Sequence, residues 1–464
     1  MTKPTAVRVA ATGARLIAGI AVSAACVAGA VVAIPAAWPA VVHEPAQTSV
    51  VPAPGDTLLT CGGPFLALGR DAQNAGQLST AGTPTVTAGA IPGSTLAEAP
   101  LAILGVSDAS AGTMYSAAPK DRDPAQVAAA ESVTIGSADV AGFAAGACRP
   151  PSMESWIVGG AASTGATDVL VVANPGAVTA TVSFTVFGSQ GEKRTSALIV
   201  PPRSQSSIPL AAGAAGEASP VVQVTATGAP VRTVLQSSLI RTLDPAGIDL
   251  QDGIAAPSTS FSLVGVRVVV PPGAAGVTTS VRLLAPTADA TVRLQPRAAE
   301  TGAPVGEAKT VSLKAGQPGE VDMSSLKPGT YAIDVEASAP VVAGAWQATG
   351  LGKGSDFSWM TPAPDLIGPT AFAVADGPSP QLQIVNAGAA DAQATITPAS
   401  GGQPQTVSIP AGGSAVVNVA PARVYELDVT GTVRAALSYS AAGKLAGYPL
   451  WPVTAASPEI TVYQ

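Results

Sequence analysis

The sequence predicts an all-β fold of tandem β-sandwich (immunoglobulin-like) modules after one N-terminal transmembrane or signal helix. Three observations predict it: a leading uncharged apolar segment, short apolar–polar alternation rich in β-branched residues, and an internal repeat. The 464 residues include 49 Gly and 42 Pro, which separate the alternating segments as turn residues. Since 47% of the chain is apolar but only 4% is aromatic, we expect cores of small side chains.

The N-terminal segment has the length and charge pattern of a membrane anchor. Lys3, Arg8 and Arg15 precede an uncharged stretch, and about 20 apolar residues are enough to cross a bilayer. Basic residues on the short leading side place that end in the cytoplasm. We therefore predict three N-terminal regions: a cytoplasmic stub at 1–15, a transmembrane anchor or signal segment at 16–38, and a stalk at 39–55.

Cleavage of this segment stays open as the alternative. Ala28-Gly29-Ala30 has the small-x-small form of a signal-peptidase site. Lipidation at Cys26 is disfavoured because Ser23 stands where a lipoprotein signal has a large aliphatic residue, so Cys26 is interpreted as a small apolar side chain. An anchored and a cleaved chain both have their bulk outside the cytoplasm, either single-pass in the cell membrane or secreted.

Cys61 and Cys148 are the two cysteines outside the apolar segment. In an exported chain they most simply form one disulfide, and two free buried thiols are the alternative. A metal site built on this pair would need further cysteine or histidine ligands, which the neighbouring sequence does not supply.

An internal repeat defines the domain organisation. Val171–Gly176 and Ile384–Gly388 share an apolar–Asn–Gly pattern followed by alternation, and Leu283–Pro286 is a weaker copy between them. The modules also open similarly, at Ser155-Trp156, Gly247–Leu250 and Gly354–Trp359. The spacing of about 100–110 residues suits a seven-stranded sandwich. The predicted units are an N-terminal β unit at 56–148 and sandwich modules at 149–246, 247–353 and 354–464.

Two local patterns refine this interpretation. Pro328-Gly329-Thr330-Tyr331 joins a turn to a strand that begins at tyrosine, as in many immunoglobulin-like sandwiches. Pro124–Val133, with its alanine-rich run, is the one segment after the anchor that predicts a short helix.

Four motifs together resemble a known family. They are Cys61-Gly-Gly-Pro, Cys148-Arg-Pro-Pro, Ser155-Trp156-Ile-Val-Gly-Gly160 and Val171-Val-Ala-Asn-Pro-Gly176. In combination they resemble an uncharacterised envelope-protein family of high-GC Gram-positive bacteria, known only as a domain of unknown function. The resemblance implies a single-pass or secreted envelope protein, and it transfers no catalytic residue.

The composition excludes several function classes. The single histidine, His43, lies on the predicted stalk, which argues against Ser-His-Asp triads, Cys-His dyads and histidine-containing zinc sites. The net charge of −7 argues against nucleic-acid binding, because a protein that neutralises phosphates is basic. We expect no enzyme activity, no cofactor and no metal. The weak metal alternative is a calcium site at Asp244, Asp249 and Asp252, although their spacing is not that of an EF-hand.

Trp156 and Trp359 are the candidate glycan-stacking residues, and the alternative is that they fill the core. The same two interpretations apply to Trp346 and Trp451. Ser324-x-x-Lys327 matches a penicillin-recognising motif but precedes Pro-Gly, which indicates a turn.

The predicted function is a non-enzymatic, membrane-anchored extracytoplasmic envelope protein that acts as scaffold, spacer or protein-docking surface. The alternatives are a glycan-binding accessory protein of cell-wall assembly and a carboxylate-dependent hydrolase. The expected partners are envelope proteins or cell-wall glycan, with the lipid bilayer contacted through 16–38.

Overall fold

In the described residues after the N-terminal helix, the regular secondary structure is β-strand except for one short helix. The computed structural model describes residues 5–33, 47–50, 54–69, 76–107, 111–120, 123–195, 197–452 and 460–463. These fall into two units, one of Met1–Pro52 with Pro458–Gln464 and one of Ala53–Ser457.

The first unit contains helix α1 (Thr5–Ala33) and a two-stranded antiparallel ribbon of β1 (Gln47–Val50) and β35 (Ile460–Tyr463). The helix begins at Thr5, before the predicted segment at 16–38, so Arg8 and Arg15 lie in its N-terminal half. Its Ala11–Val32 part is long and apolar enough to cross a membrane by length and composition. Most of the predicted stalk, including His43, lies outside the described residues.

The N-terminal part of the second unit forms two small sheets and contributes to a larger one. β5, β9 and β10 make the first small sheet, β3, β4 and β7 make the second, and β6 pairs in parallel with a strand of the next region. The strands are β2 (Thr57–Thr60), β3 (Phe65–Leu68), β4 (Leu78–Gly82), β5 (Thr85–Ala90), β6 (Ala97–Leu104), β7 (Val106–Ser107), β8 (Gly112–Ala117), β9 (Val127–Gly136) and β10 (Ala141–Cys148).

The predicted helix at Pro124–Val133 is wrong, because this segment contains the start of β9. β9 is the central strand between β5 and β10, and its residues from Val127 to Val133 are buried. Alanine favours helices in isolation. Here its small side chain fits a strand covered on both faces, and the tertiary packing overrides the propensity.

The next region is a pair of sheets. One sheet has the order β11-β17-β13-β14 with β15 paired to β13, and the other runs β19-β18-β12-β16-β6-β8-β2. Ile157, Val172, Phe184 and Leu235 belong to the core of this region. The elements are β11 (Glu154–Ile157), β12 (Ala166–Asn174), β13 (Ala180–Gly188), β14 (Gly191–Arg194), β15 (Leu198–Val200), β16 (Ser204–Pro209), the one-turn helix α2 (Ala211–Ala214), β17 (Val221–Thr227), β18 (Arg232–Arg241) and β19 (Asp244–Asp252).

The middle region is organised around one 20-residue strand, β25, which belongs to two layers. Its first half pairs with β20 and β22, and its second half pairs with β21 and β26. The strands are β20 (Ser258–Val268), β21 (Thr279–Leu284), β22 (Ala290–Ala298), β23 (Lys309–Leu313), β24 (Gly319–Asp322), β25 (Gly329–Ala348) and β26 (Phe357–Met360).

The C-terminal region contains two four-stranded sheets, β27-β32-β29-β30 and β31-β28-β33-β34. Their core is continuous with the N-terminal strands, and the Phe143 and Tyr439 rings lie 5.8 Å apart. The strands are β27 (Thr370–Val374), β28 (Gln381–Asn386), β29 (Ala392–Pro398), β30 (Gln405–Ile409), β31 (Ser414–Asn418), β32 (Arg423–Thr430), β33 (Val433–Ala441) and β34 (Lys444–Pro449).

The N-terminal strands therefore join regions that are distant in sequence. β6 extends a sheet of the first pair, while β10 lies against β34 of the last region. Residues 53–457 consequently form one compact unit.

The sequence repeat corresponds to a hydrogen-bonded loop. Asn174 Nδ2 donates to the carbonyls of Val178 (2.8 Å) and Val200 (3.0 Å), and its Oδ1 accepts from Gly176 N (3.0 Å). Asn386 makes the same set, with donation to Ala390 O (2.8 Å) and Ile409 O (3.0 Å) and acceptance from Gly388 N (2.9 Å). An asparagine that ends a central strand thus closes both loops.

The tyrosine expected at the middle turn also has its partner. The Tyr331 hydroxyl donates to Lys327 O at 2.8 Å, so the ring at the start of β25 fixes the preceding turn.

Candidate functional site

Cys61 and Cys148 form a disulfide, and the glycines after Cys61 are held by buried polar side chains. Gly62 N donates to the Glu131 carboxylate, and Gln236 Nε2 donates to Pro64 O at 2.9 Å. Burial raises the pKa of Glu131 to about 7, against the lowering effects of the Gly62 N–H and Arg232. The Cys-Gly-Gly-Pro motif therefore attaches the N-terminal loop to the first sheet pair.

The motif that begins at Cys148 has a similar structural use. Arg149 Nη1 donates to Gly253 O at 2.8 Å, and the guanidinium lies 3.3 Å from the ring centroid of Trp451. Asp252 lies 3.8 Å from the same nitrogen and also pairs with Arg232. Through these contacts Arg149, at the end of the N-terminal region, is linked to Gly253 after β19 and to Trp451 after β34.

The candidate calcium ligands Asp244, Asp249 and Asp252 all lie on β19, but their side chains do not converge. Asp252 pairs with Arg232, Asp249 accepts from Trp359 N at 2.8 Å, and Asp244 lies 3.2 Å from Lys353 Nζ. Among the described residues, no group of three or more His, Cys, Asp and Glu side chains is placed to hold a metal ion.

Ser324 and Lys327 belong to a turn. The Ser324 hydroxyl accepts from Thr278 N at 2.9 Å, and this hydrogen bond fixes the backbone before β21.

The two tryptophans predicted as glycan-stacking candidates are buried in different places. Trp156 is 3% exposed, stacks on Phe187 at 5.6 Å and donates to Glu154 Oε1 at 2.9 Å. Trp359 is 5% exposed, and the Arg282 guanidinium lies 4.7 Å from its ring centroid. Trp346 and Trp451 are partly exposed.

A cleft of about 300 Å³, which we call the junction cleft, lies where the first sheet pair meets the middle region. It is formed by the loop before β12 and the start of β12, the loop before β17, the C-terminal half of β18, and strands β21, β24, β25 and β26. The residues that carry its chemistry are Asp168, Arg241, Arg282, Glu320, Trp346 and Trp359, together with Ser219, Ser238 and Ser280.

Arg282 forms the floor of the junction cleft and has all its donors engaged. Nε and Nη2 contact Glu320 Oε1 at 2.9 and 2.8 Å, and Nη1 donates to Gly160 O (2.7 Å) and Pro220 O (3.0 Å). Nη2 also reaches Ala218 O at 3.5 Å. A guanidinium with five donors so used is a structural link between the two regions rather than an anion receptor.

Asp168 is the second carboxylate of the cleft. Its side chain accepts from Ala161 N, and burial raises its pKa to about 7, although the hydrogen bonds from Ala161 N–H and the Ser237 side chain and the charge of Arg282 lower it. Glu320 is already bound by Arg282, so the cleft does not present two uncommitted carboxylates.

Another part of the cleft lining is aromatic. Trp346 on β25 lies directly across from Trp359 on β26, and Phe357 and Leu239 pack with them. Because Trp359 is buried under Arg282, Trp346 is the indole that keeps an exposed part.

A family model of unknown function, DUF5719, matches residues 104–420. The chain belongs to the DUF5719 family. The matched part includes the junction cleft and Cys148, whereas Cys61 and helix α1 lie before it.

No curated protein matches this DUF5719 sequence. It is similar to the FN1–FN3 domains of chicken CNTN1, with 12% identity over 68% of this chain and 99% of that one and a TM-score of 0.10. It is also similar to the BSP domain of a biofilm associated protein, with 12% identity over 79% of this chain and 67% of that one and a TM-score of 0.13. Neither likeness carries a conclusion at these TM-scores.

Sequence reasoning missed the junction cleft of this DUF5719 protein. Asp168 and Arg282 each interrupt an apolar strand, in Thr-Asp-Val-Leu-Val and Ser-Val-Arg-Leu-Leu. A single charge among buried positions predicts a buried partner, and that signal could have singled out both residues.

Proposed function

We propose that this DUF5719 protein is a non-enzymatic, membrane-anchored extracytoplasmic envelope protein whose β body is a scaffold and docking surface for other envelope proteins. Helix α1 anchors it, the three sheet pairs act as fused sandwich-like modules, and the disulfide suits an oxidising compartment. Exposed edge strands offer unpaired backbone groups for protein partners.

One observation carries the proposal, namely the hydrogen bonding around Asp356. Its Oδ1 accepts from Ile248 N and Phe357 N at 3.1 Å each, and its Oδ2 accepts from Phe143 N at 2.9 Å and Leu445 N at 3.1 Å. The donors lie on β19, β26, β10 and β34. One carboxylate thus holds together strands from four regions of the chain.

Two glycines make this close approach possible. A Cβ at Gly142 (φ 150°) would lie 2.6 Å from Asp356 Oδ1, and one at Gly247 (φ 120°) would lie 2.7 Å from it. Both positions need a backbone conformation that side chains disfavour. Such fixed junctions favour a rigid body, which suits a spacer or docking platform.

The experiment is in-cell crosslinking of the full chain followed by identification of its neighbours. We expect the protein in the membrane fraction, with Cys61 and Cys148 oxidised, crosslinked to the extracytoplasmic parts of other envelope proteins. A cytoplasmic protein with reduced cysteines would contradict the location. Correct location with no reproducible protein neighbour would contradict docking alone.

Mass measurement of the mature N-terminus tests the anchor separately. An intact α1 supports anchoring, and a new N-terminus after Ala30 means that the β body is released.

A further inference from the structure

We propose that the junction cleft binds a pyranose unit of a glycan, with the exposed part of Trp346 as the stacking surface and Asp168 as a hydrogen-bonding group in the same lining. This assignment goes beyond the scaffold role and does not depend on it. It also differs from the pair Trp156 and Trp359, which do not share a surface.

The cleft lining contains both the aromatic and the polar groups that a sugar ring contacts. A pyranose presents C–H groups on its faces, which pack on an aromatic ring, and hydroxyls around its edge, which need hydrogen-bond partners. Trp346 supplies the aromatic surface, and Asp168, Ser219 and Ser238 lie in the same lining. The Ser219 and Ser238 hydroxyls donate to Glu320 Oε1 (2.9 Å) and Thr167 O (3.2 Å), so their oxygens remain able to accept from sugar hydroxyls. A wholly apolar ligand would contact the aromatic part but would remove water from the Ser219 and Ser238 hydroxyls without replacing its hydrogen bonds.

The charges of the cleft exclude a site built for a strong anion. Arg282 has no donor left for a ligand, and its charge is balanced by Glu320. Arg241 is the remaining cation of the lining and is half-buried, and none of the ion pairs found among the described residues includes it. The site therefore suits a neutral ring, with Arg241 able to contact a hydroxyl or a sugar carboxylate at the edge.

The size sets the length of glycan that enters. A volume of about 300 Å³ is at the lower end of small-molecule sites, which span roughly 300–1,000 Å³. One ring at a chain end or branch fits this volume, while the rest of the glycan lies outside.

The test is titration of the full chain with soluble sugars, in a zwitterionic detergent because glycoside detergents would compete. The probes are chitotriose, maltotriose, cellotriose and glucuronic acid, followed by saturation-transfer NMR and tryptophan fluorescence. We expect binding of at least one probe, and about a tenfold weaker affinity for Trp346→Ala. Glucuronic acid separates a neutral-sugar site from one in which Arg241 recognises a carboxylate.

The variants are matched to controls outside the cleft. Asp168→Asn keeps an acceptor for Ala161 N and should weaken binding several-fold, and Trp346→Phe should weaken it less than Trp346→Ala. Glu131→Gln, another buried carboxyl whose pKa is raised to about 7, and Trp156→Phe should leave affinity unchanged. Thermal unfolding of every variant shows that the fold is retained, and the phenylalanine and asparagine variants carry the test if Trp346→Ala does not fold.

Three results would overturn the assignment. They are no binding of any probe to the folded wild type, unchanged affinity in both Trp346→Phe and Asp168→Asn, or equal losses in the cleft and control variants. None of these results affects the crosslinking test of the scaffold role, so the two proposals fail independently.

Discussion

Asp356 and Asp289 both accept backbone N–H groups, but in opposite environments. Asp356 is fully buried and receives four N–H groups from four strands. Asp289 is 59% exposed, accepts from Ala315 N at 2.9 Å and pairs with Lys314 at 2.6 Å. The first joins distant regions, whereas the second closes a loop between neighbouring strands on the surface.

The two carboxyls are also shifted in opposite directions. Burial raises the pKa of Asp356 to about 7 even though four N–H groups act to lower it. The hydrogen bond from Lys314 lowers the pKa of Asp289. The hydrogen bonds of the two carboxyls therefore contribute differently to the free energy of unfolding. Water can replace the partners of Asp289 at the surface, whereas it is absent around the buried Asp356.

Asp356→Ala tests the role of the buried junction most directly. It leaves four buried N–H groups without an acceptor, so we expect a loss of about 4 kcal/mol in the free energy of unfolding. Asp356→Asn keeps acceptor capacity on one oxygen and should lose less. Urea unfolding of the oxidised full chain in detergent measures both. A loss in Asp356→Ala equal to that in Asp289→Ala would contradict the junction role.

The buried carboxyls with raised pKa values should also make the stability depend on pH. Glu131, near Arg232 and Asp252, keeps its proton in the folded state up to pH about 7, whereas an unfolded glutamate releases it near 4.5. The folded state thus binds more protons in this window, and the stability that Glu131 contributes falls as pH rises through it. The free energy of unfolding that Glu131 can lose across this pH window is at most about 3 kcal/mol.

Glu131→Gln should therefore flatten the decline in unfolding free energy between pH 5 and pH 8. Asp168 and Asp356, whose pKa values are also raised to about 7, keep part of that decline in the variant. Denaturant unfolding across this pH range measures the slope. A stability that rises with pH in both proteins would show that ordinary paired carboxylates dominate.

The repeated asparagines give the next effect in size. Asn386→Ala removes the donor to Ala390 O and Ile409 O, so we expect a loss of about 2 kcal/mol, and Asn174→Ala should match it. Asn418→Ala, whose side chain bonds to Gln381 on an exposed face, is the control and should be nearly neutral. Unequal losses at Asn174 and Asn386 would mean that the two loops are not equivalent.

Local patterns in the sequence predicted the strands, the repeat, the disulfide and the apolar helix, because each depends on periodicity or spacing. Asp249 and Asp356 even stand in the similar openings at Gly247–Leu250 and Gly354–Trp359. Their partners could not be predicted, since Phe143 and Leu445 meet Asp356 only after four regions fold together.

The two main errors of sequence reasoning have the same physical origin. Ala-rich β9 is a strand because it pairs with β5 on one side and β10 on the other. The junction cleft exists because Asp168, Arg282 and Trp346 come together from three distant segments. Propensity and motif spacing describe neighbours along the chain, whereas these features depend on neighbours across it.

Loss of the exposed Asp289–Lys314 pair should change the stability very little. Asp289→Ala removes an ion pair in which the Lys314 side chain is 76% exposed, and water replaces both partners. We expect an unfolding midpoint within error of the wild type at physiological salt, with any difference confined to low ionic strength. Asp391→Ala is a second surface test, because Asp391 accepts from Ala411 N at 3.0 Å in the corresponding loop. A clear destabilisation by either variant would mean that the loop N–H groups depend on the carboxylate despite their access to water, and that exposure is not what separates Asp289 from Asp356.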